Sequence, residues 1–508
     1  MNILLTAINA KYIHSNLAVY SLRACAGEYR DAVELAEYTI NNQKDYILEE
    51  LYKRKPDVLC FSCYIWNIDY VTDIAREYKK LCPSVPIWVG GPEVSYEVEA
   101  FLRENPYIDG VMIGEGEDTF RELCGYYAHK RKLSDIAGIA FRKHSTGNST
   151  SVNNIGGNKA GEIVFTSPRQ IKNMSEIPFC YDTLDDFSNR IIYYESSRGC
   201  PFSCSYCLSS VDKTLRFRDT EIVKRELKFF IDQKVPQIKF VDRTFNCNHA
   251  HAMELWRFIK ANDNGVTNFH FEISADLLNQ EELELISDMR PGLIQLEIGV
   301  QSTNEVTIKE IHRTMKLERL KEVVRLIQSG NNIHEHLDLI AGLPYEDYDS
   351  FGRSFDEIYE LKPNQLQLGF LKVLKGSYMF EHAAEYGIVY HDKPPYEVMS
   401  TKWLSFDDVI KIKRVEDMLE VYYNSGQFEI TMKLMECIFD SAFEFFQELG
   451  DFYEANGYFG MSHSRIRRCE ILLEFLALYL HGCDNDAMTS VVLSENAIDR
   501  DNTDFDEN

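Results

Sequence analysis

Three cysteines within eight residues constrain this chain more than anything else in it. Cys200, Cys204 and Cys207 stand at C-x3-C-x2-C spacing directly after a strand-like run from Arg190 to Glu195, which puts them on the loop leaving that strand. Thiolates are soft ligands, and a short loop lets three of them gather on three irons of a [4Fe-4S] cube. The fourth iron then stays open to hold and reduce a small molecule, where an electron-transfer cluster would want four thiolates. A structural zinc is the competing reading. It wants a fourth donor and more regular C-x2-C pairs, and the next cysteine after the three, Cys247, lies far along the chain.

Length and charge set the outer limits. A chain of 508 residues, 45% hydrophobic, has material for about three domains. It starts on the apolar run Met1-Asn2-Ile3-Leu4-Leu5 without a basic leader, and no apolar stretch reaches the ~18 residues that span a bilayer. A cytoplasmic protein without a membrane partner is expected. Thirteen cysteines in such a chain imply a reducing compartment and free thiols or metal ligands rather than disulfides. A net charge of -26 disfavours non-specific attraction to nucleic acid, so no DNA partner is expected.

The first 140 or so residues alternate strands and helices. Asn2 to Ala7, Asp57 to Ser62, Pro86 to Gly91 and Gly110 to Ile113 read as buried strands, with amphipathic helices such as Ile68 to Leu81 between them. That order implies a doubly wound parallel sheet of Rossmann-like type, with its ligand crevice at the carboxyl ends of the strands. Two loops there are rich in glycine, Gly90-Gly91-Pro92-Glu93-Val94-Ser95 and Gly114-Glu115-Gly116-Glu117. They let a large flat ligand approach the backbone. The first strand is not followed by G-x-G-x-x-G, which weakens a nicotinamide or flavin reading. Cys60 and Cys63 are read as buried structural thiols.

Residues 142 to 165 read as a hairpin with a long polar tip, and 167 to 189 as a linker. From Ile191 the alternation resumes, with strand candidates at Ile191 to Glu195, Gln237 to Val241, His270 to Ser274, Ile294 to Val300, His336 to Ala341 and Gln365 to Phe370. Six such strand and helix units follow one another, and in barrel enzymes the chemistry lies on the loops at the strands' carboxyl ends. Asp242, Ser274, Asp276, Glu297 and Gln301 fall at those ends, and Arg313 follows in the next helix. The last third is helical: Ser405-Phe406-Asp407-Asp408 has the form of a capping box, and Phe439, Phe443 and Phe446 read as packing. From Cys483 the chain is acidic and polar and is expected to be disordered.

The cysteine spacing, with Tyr206 just before the last cysteine, resembles the signature of the radical S-adenosylmethionine (SAM) enzymes. Taken with the two glycine loops ahead of it, the chain is similar to the cobalamin-binding branch of that family. The resemblance implies a cobalamin-binding domain over 1–141, a hairpin and linker over 142–189, a (β/α)6 radical SAM barrel over 190–375, a helical domain over 376–482 and a tail over 483–508. By it, Cys200, Cys204 and Cys207 bind a [4Fe-4S] cluster, and SAM meets Tyr206, Asp242, Ser274, Glu297, Gln301, Arg313 and Gly342. Cobalamin would meet Asn9, Tyr12, His14, Ser62, Trp66, Gly91, Glu93, Ser95 and Glu115. The D-x-H-x-x-G motif that supplies a histidine to cobalt in other cobalamin proteins is absent. His14 is therefore read as a surface or hydrogen-bonded loop histidine rather than the cobalt ligand. The family's Gly-Gly-Glu after the second barrel strand is also missing, replaced by Asp242-Arg243.

The implied activity is methylation of an unactivated carbon through methylcobalamin and a 5'-deoxyadenosyl radical. The implied substrate is a small molecule or peptide, and the implied electron donor a flavodoxin or ferredoxin. A non-methylating rearrangement, cyclisation or oxidation is the alternative within enzymes, and a non-catalytic cobalamin sensor or carrier the alternative outside them.

Overall fold

The computed structural model describes residues 1–143 and 161–479, apart from residues 188, 212 and 437. The tip of the expected hairpin and the expected acidic tail lie outside the described residues.

The chain opens with β1 (Ile3–Asn9), α1 (Leu17–Cys25), β2 (Val33–Thr39), α2 (Lys44–Arg54), β3 (Val58–Ser62), α3 (Ile68–Leu81), β4 (Ile87–Gly90), α4 (Val98–Glu104), β5 (Gly110–Met112) and α5 (Glu117–Tyr127). The strands lie in the order β2-β1-β3-β4-β5, all parallel. β1 and β3 are buried along their whole length, which is why they read as unbroken apolar runs. Sequence reading missed β2. It is the edge strand, and its half-exposed positions carry Glu34 and Glu37, so no apolar run announces it. β6 (Ile139–Lys143) and β7 (Glu162–Phe165), the two arms of the expected hairpin, pair antiparallel with each other, and β6 pairs antiparallel with β5, so they continue this same sheet.

The second sheet is led by β8 (Ile192–Tyr194), after which β9 (Ser197–Arg198) and β10 (Arg216–Phe217) form a two-residue ribbon across the base of the cysteine loop. Then follow α6 (Thr220–Asp232), β11 (Gln237–Phe240), α7 (His249–Ala261), β12 (Asn268–Ile273), α8 (Gln280–Ser287), β13 (Ile294–Gln301), α9 (Glu305–Glu310), α10 (Leu317–Gly330), β14 (His334–Ala341), α11 (Tyr348–Tyr359) and β15 (Gln365–Phe370). Strands β8, β11, β12, β13, β14 and β15 are neighbours in chain order and all parallel, an open barrel of six. Phe240, Phe271, Ile298 and Leu337 are fully buried, while the alternate positions carry Lys239, Glu272, Glu297 and Asp338. One face of this sheet is therefore apolar and the other charged.

Both margins of the open barrel are capped. At β8, Ile191 N donates to Ile13 O at 2.8 Å and Ser15 Oγ donates to Ile191 O at 2.8 Å. At β15, the Asn424 side-chain amide acts as a stand-in strand: Leu366 N donates to its Oδ1 at 3.0 Å and its Nδ2 donates to Leu366 O at 2.8 Å.

The remainder comprises α12 (Tyr378–Glu381), β16 (Val389–Tyr390), β17 (Val398–Ser400), α13 (Phe406–Leu419), α14 (Glu429–Met435), α15 (Ala442–Ala455) and α16 (Arg465–Tyr479). The Ser405–Asp408 capping box forms as the spacing anticipates, each side chain accepting from the other's backbone N–H. The start of α15 is tied to the barrel: Asp356 of α11 accepts from Ser441 Oγ at 2.7 Å and Phe443 N at 2.8 Å. A single buried cluster runs from one face of the first sheet through the barrel to these helices. Among the described residues no helix is long and apolar enough to cross a membrane.

Candidate active site

The cysteine loop is held rigidly at both ends. Asp242, just past β11, is fully buried and accepts from Ser196 N at 2.9 Å and from the Ser196 and Ser197 hydroxyls at 2.6 Å each. Burial pushes its carboxyl up to about 6 against the opposing pull of the two serines. It is thus spent on the approach to the loop, and does not line the cavity described below. Gly199 follows with φ +95°, and a Cβ there would lie 2.6 Å from Thr214 O. At the far end Ser205 N donates to Ile311 O, and Met379 N donates to Ser205 O, both at 2.9 Å. Gly199→Ala is accordingly expected to cost about 1–3 kcal/mol and to lower the iron taken up on reconstitution; thermal unfolding and iron counts check both.

Cys204 is buried, and Cys200 and Cys207 are half-buried. Cys200 Sγ lies 3.6 Å from Thr244 Oγ1, and Arg313 Nη1 lies 3.8 Å from Cys204 Sγ and 3.3 Å from Tyr206 OH. Burial raises the Cys204 thiol, and the Arg313 charge opposes it. Among the described residues no three His, Cys, Asp or Glu side chains converge on one ion position. A cube would spread its thiolates over separate corners, one sulfur to each iron.

Beside Cys204 a cavity of about 140 Å³ opens into the barrel. Of the residues expected to meet SAM, Ser274, Glu297, Gln301 and Arg313 line it. Gln301 Oε1 and Arg313 Nε are buried without a hydrogen-bond partner, as groups awaiting a polar ligand would be. Tyr206 stands beside Arg313. Gly342 does not line the cavity; a Cβ there would lie 2.6 Å from Val398 Cγ1, so its missing side chain makes room for β17. A larger groove of about 740 Å³ runs along β2 beside Met1, Arg23 and Glu34, away from the cysteines.

The charges in the cavity are set in pairs. Glu297 accepts from Lys239 Nζ at 2.8 Å and His270 Nε2 at 2.9 Å. Burial alone would raise its pKa, but these partners bring it down to about 2. Glu272, in register beside Glu297, is paired with Arg243 at 3.9 Å, and burial pushes it up to about 7. Asp338 lies 3.2 Å from His336. Sequence reading missed Glu272 and Asp338. Polar residues alternating with apolar ones in Phe269-His270-Phe271-Glu272-Ile273 and Leu337-Asp338-Leu339 were the available signal for a charged inner face.

The loops of the first sheet divide into two groups. Asn9 donates to Glu37 Oε1 at 2.9 Å and His14 O at 3.1 Å, Ser62 Oγ accepts from Asn16 at 3.3 Å, and His14 Nδ1 sits 2.7 Å from Tyr193 OH of β8. Ser95 Oγ donates to Gly91 O at 2.8 Å, and a Cβ on Gly91 would lie 2.4 Å from Cys63 O. Glu93 accepts from Tyr396 OH and from Lys375 Nζ at 3.4 Å, and Glu115 pairs with Arg216 and with Arg198 at 3.3 Å. All of these are engaged within the protein. Tyr12 and Trp66 are tied in as well, by Arg190 over the Tyr12 ring at 5.7 Å and by Trp66 Nε1 donating to Ile8 O at 3.1 Å, but they stay 69% and 41% exposed, with Trp66 stacked on Tyr64 at 4.4 Å and 6°. Gly114 has φ +74° and nothing within 4 Å of a Cβ position. Open backbone and flat aromatic rings fit a macrocycle. Cys60 and Cys63 are fully buried, as expected of structural thiols.

Three family models match the chain: the B12 binding domain over residues 3–124, the radical SAM superfamily over 194–358, and a family described as a protein of unknown function (DUF4080) over 384–503. The cobalamin-dependent radical SAM methyltransferase TokK of Streptomyces tokunonensis is 27% identical over 66% of this chain and 49% of its own length. An anaerobic magnesium-protoporphyrin IX monomethyl ester cyclase of Rubrivivax gelatinosus is 22% identical over 67% of this chain and 60% of its own. The chain spans about half the length of the first curated relatives it matches. In fold, it is similar to OxsB, a cobalamin-dependent S-adenosylmethionine radical enzyme, with a TM-score of 0.64 at 15% identity, covering 98% of this chain and 79% of that one. The B12-binding match falls on the sheet with the open Gly114 loop and the radical SAM match on the barrel that carries the three cysteines, so the chain joins a B12-binding domain to a radical SAM domain, as the cobalamin-binding radical SAM proteins it is similar to do.

Proposed function

We propose that this protein is a radical SAM methyltransferase that uses cobalamin to methylate an unactivated carbon. The observation that carries the reading is the cavity beside Cys204, lined by paired charges and by the orphaned Gln301 and Arg313 atoms, in a chain whose first sheet ends in an open, aromatic-flanked loop surface.

When bound, the cluster supplies the electron that splits SAM, and the corrin supplies the methyl group. The protein's own part is positioning and electrostatics. Arg313 sets a positive charge beside the Cys204 sulfur, favouring its thiolate. Glu297, held anionic by Lys239 and His270, is a fixed acceptor for the hydroxyls of SAM, and Ser274 and Gln301 offer neutral partners at the same rim. Fixed dipoles in a sheltered site need no reorganisation during reaction. With this reading go a small-molecule or peptide substrate, a flavodoxin or ferredoxin as electron donor, no DNA partner and a cytoplasmic setting.

Anaerobic purification with added cobalamin, followed by iron, sulfide and cobalt counts and incubation with methyl-labelled SAM, tests it. Label in a non-SAM product is the expected outcome. The cyclase relative favours a second reading, in which the carbon skeleton is rearranged or oxidised and no label is transferred; SAM cleavage with an unlabelled product would select it.

A further inference from the structure

The two arginines of the β9–β10 ribbon are partners in register, and both turn to one carboxylate on the first sheet. Glu115, between β5 and α5, accepts from Arg216 through both terminal nitrogens, Nη1 at 3.2 Å, and lies 3.3 Å from Arg198 Nη1. Arg198 also donates to Glu117 at 2.8 Å and to Glu195 at 2.9 and 2.7 Å. The side chains are sheltered: Arg198 is 21% exposed, Arg216 14%, Glu115 20% and Glu117 7%. Two guanidinium groups in such shelter need counter-charge, and while Glu117 and Glu195 serve Arg198, Glu115 is the carboxylate that touches both arginines.

Arg198 is one residue removed from Cys200, with only Gly199 between them. Whatever fixes Arg198 therefore fixes the start of the cysteine loop. Resting on the reading that Cys200, Cys204 and Cys207 hold a [4Fe-4S] cluster, we propose that Glu115 is a positioning residue for that cluster, acting through Arg198 and Arg216, and not a contact of the corrin. The flanking Gly114 leaves the space beside its Cα open, so the loop would serve two cofactors with two different parts: Gly114 beside the macrocycle, and the Glu115 carboxylate on the arginines that hold the cysteine loop.

The test uses full-length wild type, Glu115→Gln, Glu115→Asp and Arg216→Gln, each reconstituted anaerobically with iron, sulfide and hydroxocobalamin. Three quantities are read: the rate of iron loss to a chelator, the electron paramagnetic resonance spectrum of the reduced cluster, and retained cobalamin from the visible spectrum. Glu115→Gln and Arg216→Gln are expected to lose iron about 10- to 100-fold faster and to share an altered resonance spectrum. Cobalamin should stay at the wild-type level, and Glu115→Asp should recover much of the loss. Cobalamin lost with the cluster intact in Glu115→Gln overturns the proposal, as does iron loss unchanged in both neutral variants. Should Glu115→Gln shed both cofactors, Arg216→Gln decides: a wild-type cluster there overturns the proposal, and a labile cluster with cobalamin retained upholds it. Failure of the wild type itself to take up iron is a different result, and defeats the cluster reading instead.

Discussion

Alanine at Cys200, Cys204 and Cys207 together is expected to take reconstituted iron from about four per chain to none and to depress SAM cleavage by on the order of 10³-fold or more. Each thiolate holds its own corner of the cube, so no donor is redundant. Cys247 supplies one sulfur where three are needed. Of the single substitutions, Cys204→Ala is expected to be the most severe, because that sulfur is the buried one beside Arg313. Iron and sulfide counts after anaerobic reconstitution, with 5'-deoxyadenosine release under a chemical reductant, measure both effects. Retained iron in the triple variant would remove the foundation of the proposed function.

A second large effect is expected at Glu297. Its pKa is about 2 in the folded protein against 4.5 for an ordinary glutamate, and one unit corresponds to about 1.4 kcal/mol, so ionised Glu297 contributes roughly 3 kcal/mol. The sign follows from which state holds the proton. Above pH 4.5 the group is ionised in both states and the contribution is complete; as pH falls from 4.5 toward 2 the unfolded chain takes up a proton that the folded one does not, and the contribution is lost. Glu297→Gln leaves Lys239 and His270 without their acceptor and should unfold at lower urea at pH 7, by roughly 3 kcal/mol. The gap between variant and wild type should shrink as the buffer is taken below pH 4.5. A constant gap across that range would mean that Glu297 acts through packing and not through charge.

The architecture was legible where burial is total. β1 and β3 are written in unbroken apolar runs, the barrel strands in an alternation of apolar and charged residues, and the cysteine spacing is a local signal that needs no neighbours. β2 was not legible, because an edge strand half in water carries glutamates that look like loop. Site residues divided by the same logic. Ser274 and Gln301 sit at strand ends, where the sequence puts them; Glu297 lies mid-strand in β13, Arg313 lies in the loop between α9 and α10 rather than in a helix, and the cavity gathers all four. Asp242 has the same sequence credentials, yet its carboxylate is consumed by Ser196 and Ser197, partners 46 and 45 positions earlier in the chain. Glu93 and Glu115 likewise sit on glycine-rich loops, and their partners Tyr396, Lys375, Arg198 and Arg216 belong to distant segments that only folding brings near. Long-range pairing of charges has no periodicity, which is why it left no trace to read.

The sealed margins of the barrel bear on solubility. A parallel sheet that stops short of closure offers bare amides on its first and last strands, and such borders recruit strands from other molecules. Here the Ile13–Ser15 segment occupies one border and the single amide of Asn424 the other. A folding intermediate in which the first sheet has not yet docked would expose the β8 border and be prone to edge-to-edge aggregation, so docking guards the colloidal behaviour of the protein as well as its active site.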